Sequence, residues 1–226
     1  MQIGSAQWKR FLQKGARQMG VEIAPEKLDV FAAYAEELIF WTRKVNLTTL
    51  TAPEEIAVKH FLDSIAPVEM IAPDASLLDI GSGAGFPGIP LKILLPDLSV
   101  YLVESSRKKA NFLRHIIRKL RLEASQVIED RAEQLRVETQ FRVIVSRAVS
   151  DLLRLIELGW PLLASGGAII AYKGKQIKME IEAARSFLLG KSSGFKAADQ
   201  RWSLVTKTYR LPFFELERSL VVIRRL

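Results

Sequence analysis

Short β-prone runs alternate with longer helix-like segments between residues 76 and 172, and this alternation limits the fold more than any other feature of the chain. The runs lie at 76–80, 99–104, 125–129, 141–146 and 167–172. Strands that alternate with helices build a parallel sheet through right-handed crossovers. Two later runs, 203–211 and 219–225, are separated by too few residues for a parallel crossover, so we expect them to pair antiparallel. The pattern predicts a doubly wound α/β fold whose last strand is reversed.

The first 70 residues carry helical patterns instead. From Pro25 onward, apolar residues recur at the three- and four-residue steps of one helix face. These residues are Leu28, Phe31, Ala32, Ala35, Leu38 and Ile39. Thr51 and Glu54 then have the spacing of a capping box, so we expect a helix from about 52 to 70, which Pro73 ends.

Charge is divided unevenly along the chain. Residues 1–75 carry 8 Lys/Arg and 10 Asp/Glu, whereas residues 76–226 carry 25 and 15. We accordingly predict a helical N-terminal region at 1–73 and a basic Rossmann-like domain at 74–226. A basic surface suits a polyanion such as nucleic acid, although solubility alone also explains a moderate excess.

Composition excludes several classes of protein. The chain has no cysteine, which excludes disulfides, thiolate metal sites and cysteine nucleophiles. Its two histidines form no convincing metal cluster, so we expect no metal. The start of the chain lacks the pattern of a signal peptide, and no apolar run approaches the roughly 18 residues of a membrane span. We therefore expect a cytoplasmic protein without a membrane partner.

A glycine-rich turn follows the first predicted strand. Gly81, Gly83 and Gly85 permit a tight turn and let the backbone approach a ligand closely. Phe86 stands where the dinucleotide fingerprint has its third glycine, which disfavours NAD and favours S-adenosylmethionine as the cofactor. A plain strand-to-helix turn is the alternative interpretation.

Polar residues follow the next three predicted strands. Glu104 lies 23 residues after Gly81, near the offset at which a carboxylate binds ribose hydroxyls, although it is also compatible with a solvated acid. Ala132 and Glu133 are placed to meet an adenine edge, or else to begin an exposed helix. Arg147 follows the fourth strand, where it is a candidate to bind the methionine carboxylate, a substrate RNA or a neighbouring acid.

The residue content also limits the methyl acceptor. Methylation of pyrimidine C5 generally requires a cysteine, and methylation of exocyclic amino groups of DNA uses an Asn/Asp-Pro-Pro-Tyr/Phe motif that Ser146-Arg147-Ala148-Val149 does not resemble. Guanine N7 already has a free lone pair, so its methylation needs alignment but no general base. We therefore name no catalytic base, and Arg147 is the best candidate for a role beside the chemistry.

Two helical segments could contribute to such a site. Residues 107–121 carry seven Lys/Arg and no acid, and four of the arginines lie on one stripe of the predicted helix. These are Arg107, Arg114, Arg118 and Arg121. The stripe either grips RNA phosphates or is a solvated face. His60 and Asp63, three residues apart, either form a helix-surface hydrogen bond or belong to a helix that covers the cofactor pocket.

The glycine turn continues into a distinctive tail, since residues 79–92 read DIGSGAGFPGIPLK. This run closely resembles the cofactor motif of the RsmG/GidB family of bacterial 16S rRNA guanine-N7 methyltransferases. Further resemblances occur in order along the chain, at Asn46-Leu47-Thr48, 60–64, Glu104-Ser105 with Lys108 and Phe112-Leu113, 131–133, 146–148 and Lys173-Gly174.

The resemblance implies a Rossmann-like S-adenosylmethionine-dependent methyltransferase sheet with a helical N-terminal region. It implies methyl transfer to N7 of a guanine, guanine 527, in the 530 loop of 16S rRNA. We expect a monomer that acts on 16S rRNA or on the small ribosomal subunit. By position it assigns cofactor binding to Gly81, Phe86, Ala132, Glu133 and Arg147. To these the residue patterns themselves add Gly83, Gly85 and Glu104.

Two other functions stay open at this point. One is a methyltransferase that acts on a small molecule or a protein, for which the basic excess of residues 76–226 would be unnecessary. The other is a non-catalytic RNA-binding protein, for which an intact glycine turn and Arg147 would be superfluous.

Overall fold

The computed structural model describes residues 1–135, 139–147, 151–175, 177–190 and 201–226. Seven strands form a single mixed sheet in the order β3-β2-β1-β4-β5-β7-β6. The strands are β1 (Ser76–Ile80), β2 (Ser99–Val103), β3 (Ser125–Ile128), β4 (Phe141–Ser146), β5 (Leu163–Lys173), β6 (Trp202–Leu211) and β7 (Leu216–Arg225). The first five are parallel, and β7 runs antiparallel to both β5 and β6. The predicted doubly wound sheet with a reversed last strand is confirmed.

Helices precede the sheet and connect its strands. The α-helices are α1 (Ala6–Gln18), α2 (Pro25–Thr42), α3 (Pro53–Glu55), α4 (Asp63–Ile65), α5 (Gly88–Leu94), α6 (Arg107–Lys119), α7 (Leu152–Gly159) and α8 (Lys178–Leu188). Short 3-10 turns occupy Val68–Met70, Ala132–Gln134 and Trp160–Leu162. None of the helices in the described part of the chain is long and apolar enough to cross a membrane.

The capping box predicted at Thr51 is wrong, although helical turns do occupy much of the region from 53 to 70. Ala52 is the N-cap and makes no side-chain cap hydrogen bond, while Pro53 is the first helical residue. The Glu54 carboxylate instead lies 3.0 Å from the amino group of Met1. A cap needs its partner within one turn, and here a distant segment provides a positive charge that binds the carboxylate.

The helical segment that follows Glu55 is not a regular α-helix. Ile56–Leu62 is a π-helix, and α4 follows it directly. Such π segments are rare and often lie at functional sites. This one carries His60, and Asp63 is the first residue beyond it.

The N-terminal helices pack on one face of the sheet. Trp8, Phe31 and Phe61 share a single hydrophobic core with sheet residues such as Leu77 and Leu102. A second core, which includes Leu78 and Ile80, lies under α7 and α8 on the other face. Leu77 and Leu78 belong to different cores because successive strand side chains point to opposite faces. The boundary at 73/74 stays a prediction.

Candidate active site

The glycine turn lies at the carboxyl end of β1, and its three glycines meet different surroundings. Gly81, Gly83 and Gly85 have φ angles of +74°, +57° and +94°, in the left-handed region that favours glycine. A Cβ on Gly85 would lie 2.4 Å from Ile89 Cδ1 and 2.7 Å from Tyr34 Oη. A Cβ on Gly83 would approach nothing closer than 3.9 Å. The turn therefore packs into the protein at Gly85 and leaves open space at Gly83.

Glu104 holds this turn from the neighbouring strand. Its Oε2 accepts a hydrogen bond from the Gly83 N–H at 2.9 Å, and its Oε1 accepts one from the Ser106 N–H at 2.7 Å. The side chain is buried, so the alternative of a solvated acid is wrong. A carboxylate oxygen can accept more than one hydrogen bond, so each oxygen keeps the capacity to bind a further donor.

A first cavity, of about 400 Å³, opens beside Glu104. Of the residues predicted from the sequence, Gly81, Glu104, Ala132 and Glu133 line it. The volume falls within the roughly 300–1,000 Å³ of small-molecule sites. Arg154 of α7, which no sequence pattern indicates, also lines the cavity.

Glu133 is exposed and forms an ion pair with Arg154, at 3.2 Å. A hydrogen bond from its own backbone and then the bond from Arg154 lower the pKa of Glu133 below its usual value. The carboxylate is therefore charged, and it offers an acceptor at the rim of the first cavity.

A second cavity, of about 320 Å³, lies at the end of β4, with Arg147 in its wall. Ser146 Oγ donates a hydrogen bond to the Ile80 carbonyl at 2.8 Å, so the residues that follow β4 and β1 are neighbours. The other residues lining this cavity are Leu50, Lys59, His60, Asp63, Tyr172, Lys173, Gly174 and Arg218. Both cavities thus open at the carboxyl edge of the sheet, where open α/β folds bind their ligands.

Arg147 is held by the π-helix and the residue after it. Its Nη1 donates to the Lys59 carbonyl at 3.0 Å and to Asp63 Oδ2 at 3.2 Å, and its Nη2 donates to His60 Nδ1 at 3.0 Å. Arginine can only donate, so His60 Nδ1 carries no proton. The proton of the neutral ring lies on Nε2, which donates to Thr48 Oγ1 at 2.8 Å.

His60 and Asp63 are buried, so their interpretation as a helix-surface pair is wrong. Burial first, and the charge of Arg147 second, lower the pKa of His60 to about 3. The second oxygen of Asp63 accepts a hydrogen bond from Tyr209 Oη at 2.7 Å. Burial and the adjacent Asp63 raise the pKa of Tyr209, which keeps its hydroxyl protonated. The β6–β7 hairpin is thereby tied to Arg147 through Asp63.

Phe86 lies between the glycine turn and Arg147. Its ring stacks on the His60 ring with centroids 4.3 Å apart and planes within 4°. The Arg147 guanidinium carbon is 5.2 Å from the centre of the same ring. Phe86 is buried and, like Gly83 and Gly85, is not among the described residues that line either cavity. Cofactor binding by these three residues stays a prediction.

Asp79 precedes the turn and is fully buried. Its Oδ2 accepts a hydrogen bond from the Gly88 N–H at 2.9 Å, whereas its Oδ1 has no hydrogen-bond partner among the described residues. Burial raises the pKa of Asp79 to about 7, against the opposing effects of the Gly88 bond and the Arg147 charge. The sequence analysis did not assign a role to this residue.

Helix α6 is amphipathic as predicted but ends at Lys119, so Arg121 of the predicted stripe lies beyond the helix; all four arginines are exposed. Arg114 forms an ion pair with Glu129 at 2.8 Å, which neutralises part of the stripe. RNA binding by this face stays a prediction. Ala148 of the Ser146-Arg147-Ala148 motif lies outside the described residues. Within the described ranges, no group of three or more potential ligand residues could hold a metal ion.

Comparison with known proteins gives relatives along most of the chain. The family model described as "GidB: rRNA small subunit methyltransferase G" matches residues 27–197. The ribosomal RNA small subunit methyltransferase G of Geobacter sulfurreducens is 42% identical over 217 residues, which cover 95% of this chain and 96% of that protein. The protein of the same name from Bacillus cytotoxicus is 38% identical over 92% of this chain and 86% of its own length.

Solved structures with the same fold are more distant in sequence. Pyrococcus horikoshii TYW2 in complex with MeSAdo matches with a TM-score of 0.57 and 12% identity, over 73% of this chain and 62% of that one. M. jannaschii TYW2 in complex with AdoMet matches with a TM-score of 0.55 and 15% identity, over 73% and 75%. At this identity the likeness concerns the fold.

Proposed function

The chain belongs to the GidB family of small-subunit rRNA methyltransferases, and on this premise we propose which atom it methylates and which residues hold its substrates. It is an S-adenosylmethionine-dependent rRNA methyltransferase. We propose that the acceptor is N7 of a guanine in the 530 loop of 16S rRNA, guanine 527 in the family.

The observation that carries this proposal is the pair of cavities at the carboxyl edge of the sheet. One contains a buried carboxylate, Glu104, and the other contains a guanidinium, Arg147. Glu104 follows β2 and Arg147 follows β4, and both of these strands pair with β1. A nucleoside needs acceptors for its ribose hydroxyls, and an amino-acid carboxylate needs a cation. Because Ser146 Oγ bonds to the Ile80 carbonyl, the segment that carries Arg147 adjoins the glycine turn, and the two groups suit a ligand that has both ends.

The residues present fit S-adenosylmethionine. Glu104 would accept hydrogen bonds from the ribose hydroxyls, Ala132 and Glu133 would contact the adenine edge, and Arg147 would bind the methionine carboxylate. The open space beside Gly83 leaves room for the ligand to approach the backbone. The unpartnered Oδ1 of Asp79 adds a buried acceptor under the turn. Gly81, Gly85 and Phe86 would hold the turn in shape.

The hydrogen bonds of the titratable side chains in the second cavity favour a methyl acceptor atom that needs no deprotonation. His60 has its Nδ1 lone pair engaged by Arg147, and both oxygens of Asp63 accept hydrogen bonds. His60 could therefore take up a proton only by losing its bond from Arg147, and Asp63 is held by Arg147 and Tyr209. S-adenosylmethionine supplies an electrophilic methyl group, to which the N7 lone pair bonds while the S–CH3 electron pair returns to sulfur, so no proton moves.

The protein's own contribution would be alignment. The π-helix and the glycine turn fix Arg147 and Phe86 relative to each other, so the two substrates can be held in line without rearrangement. We further propose that the enzyme acts as a monomer in the cytoplasm on 16S rRNA or the small ribosomal subunit.

One experiment tests the acceptor directly. The protein is incubated with methyl-labelled S-adenosylmethionine and either 16S rRNA or small subunits that lack the modification. The labelled position is then mapped by N7-methylguanine-selective strand cleavage. We expect label at one guanine of the 530 loop. Label at another atom, in a protein or in a small molecule would contradict the proposal.

A further inference from the structure

The tip of the β6–β7 hairpin extends past the sheet beside the second cavity. The last pair between β5 and β7 is Lys173 with Ser219, whereas β6 and β7 stay paired as far as Leu211 with Leu216. The connecting turn, residues 212–215, therefore lies beyond the carboxyl edge of the parallel strands. It is on the side of the sheet where Arg147 lies.

Two adjacent phenylalanines at this tip make different contacts. Phe213 stacks on Phe11 of α1 with centroids 4.1 Å apart, which attaches the tip to the N-terminal helices. Phe214 is 37% exposed, and the Lys59 Nζ lies 5.2 Å from the centre of its ring. Among the described residues, no aromatic ring stacks on Phe214. The exposed part of the Phe214 ring is therefore open to a further stacking partner.

A cationic surface leads from Phe214 to the second cavity. Lys59, which contacts Phe214, also lines that cavity together with Arg147, Lys173 and Arg218. Asp63 is the one carboxylate among the described lining residues, but Glu55 and Glu180 each pair with one of the lysines, so the four cations meet three carboxylates and a net charge of +1 remains. Carboxylates hold the cations in position: Glu55 pairs with Lys59 and Glu180 with Lys173, while Asp63 lies near both arginines.

This combination of an exposed ring and adjacent cations fits single-stranded RNA. Side chains cannot reach into the deep, narrow major groove of an RNA helix, where N7 lies, so a guanine methylated at N7 must be unpaired or displaced. When the guanine is displaced, the bases on either side of it lose a stacking partner. An aromatic side chain can replace that partner, and cations beside the ring can bind the intervening phosphate.

We propose that Phe214 is a stacking platform for a nucleotide adjacent to the target guanine, with Lys59 and Arg218 placed to bind the RNA backbone. This inference rests on the proposed function, because it places the target guanine in the second cavity, next to the methionine end of the cofactor at Arg147. It adds to that function a defined path by which the RNA strand leaves the cavity, over the hairpin tip.

The test compares Phe214→Ala with Phe214→Tyr and with Phe40→Ala. Phe40 is a matched control because it is 53% exposed and has Lys44 Nζ 5.1 Å from its ring, but it lines a different cavity. Thermal unfolding first checks that all variants fold. The probe is a fluorescein-labelled single-stranded RNA nonamer with one central guanine, in versions that carry 2-aminopurine on either side of it.

We expect Phe214→Ala to weaken binding of the nonamer at least fivefold, since loss of one base–aromatic stack corresponds to roughly 5- to 150-fold in affinity. One of the 2-aminopurine probes should be quenched by the wild type and by Phe214→Tyr but not by Phe214→Ala. In the methylation assay, Phe214→Ala should raise the KM for rRNA while calorimetry finds the same affinity for S-adenosylmethionine. Phe40→Ala should behave as wild type.

Equal nonamer binding by wild type and Phe214→Ala would overturn the inference, as would failure of the wild type to bind the nonamer. The same holds if Phe40→Ala weakens binding as much as Phe214→Ala. Failure of the proposed function gives a different result, because the wild type would then bind the nonamer through Phe214 and label no guanine N7 in rRNA.

Discussion

Replacement of Glu104 by glutamine is the sharpest test of the first cavity. The two carboxylate oxygens accept hydrogen bonds from the N–H groups of Gly83 and Ser106, at 2.9 and 2.7 Å. Glutamine has only one acceptor oxygen, so its NH2 group would face one of these donors. The negative charge that should bind the ribose hydroxyls is removed as well.

The expected effect follows from these bonds. A hydrogen bond to a charged group contributes roughly 1.5–3 kcal/mol, and Glu104→Gln weakens at least one bond to the ligand and one that shapes the turn. A total of about 3 kcal/mol corresponds to an affinity for S-adenosylmethionine lowered about 100-fold. Because the bond from Gly83 is intramolecular, part of the effect should also appear as a lower melting temperature.

Calorimetric titration of the folded protein with S-adenosylmethionine measures this change in affinity. Glu129→Gln is the matched control, since it makes the same change of charge at a residue that pairs with Arg114 and lines neither cavity. The control should bind the cofactor as wild type does. A Glu104→Gln protein that folds and binds within about threefold of wild type would refute the assignment of Glu104.

Three further predictions concern the turn and helix α6. The pKa of buried Asp79 is about 7, compared with the ordinary 3.8. Between these two pH values the folded state therefore keeps a proton that the unfolded state has released. The free energy of unfolding should accordingly fall by on the order of 4 kcal/mol as the pH rises from about 4 to 7. Urea unfolding at several pH values should find this decrease in wild type and not in Asp79→Asn, and the same pH dependence in the variant would contradict it. Gly83→Ala should lower the free energy of unfolding by about 1–2 kcal/mol because of its positive φ alone. Gly85→Ala should lower it by about 2–5 kcal/mol because a Cβ there also overlaps packed atoms. If calorimetry finds that Gly85→Ala melts no lower than Gly83→Ala, the packing argument is wrong. If helix α6 binds RNA, replacing Arg114 and Arg118 by glutamine should make the plot of log affinity against log salt concentration less steep. The slope should change by about 0.7 for each phosphate that the helix no longer neutralises. An unchanged slope in such titrations would exclude that role.

Much of the fold could be predicted because strand signals are local. The predicted runs at 76–80 and 141–146 coincide with β1 and β4. The start of β5 was predicted at 167, but the strand begins at Leu163. Gly166 and Gly167 give the sequence of a turn there, yet the strand continues past them through an irregular register opposite β4. Pairing with a neighbouring strand decided this boundary, and local propensity did not.

Some parts of the candidate site were also predictable. In an alternating β/α pattern the glycine turn leads from a strand into a helix, and acids at the ends of the next parallel strands lie at the same edge of the sheet. Gly81, Glu104, Ala132 and Glu133 therefore lie around one cavity as expected from their order in the chain. Arg154 was missed because nothing in the local sequence of α7 distinguishes an arginine on the cavity side from one in solvent.

The parallel sheet, its reversed last strand and the glycine turn could be predicted, because each follows from periodicity or from backbone conformations that only certain residues adopt. Tertiary structure alone decided how Arg147 is held. Its partners His60 and Asp63 lie 87 and 84 residues away, and Tyr209 reaches Asp63 across 146 residues. No local pattern encodes such contacts, since they exist only where the π-helix, β4 and the β6–β7 hairpin pack together. Because of this packing, His60, whose spacing in the sequence suggests a helix surface, is buried in the wall of a cavity.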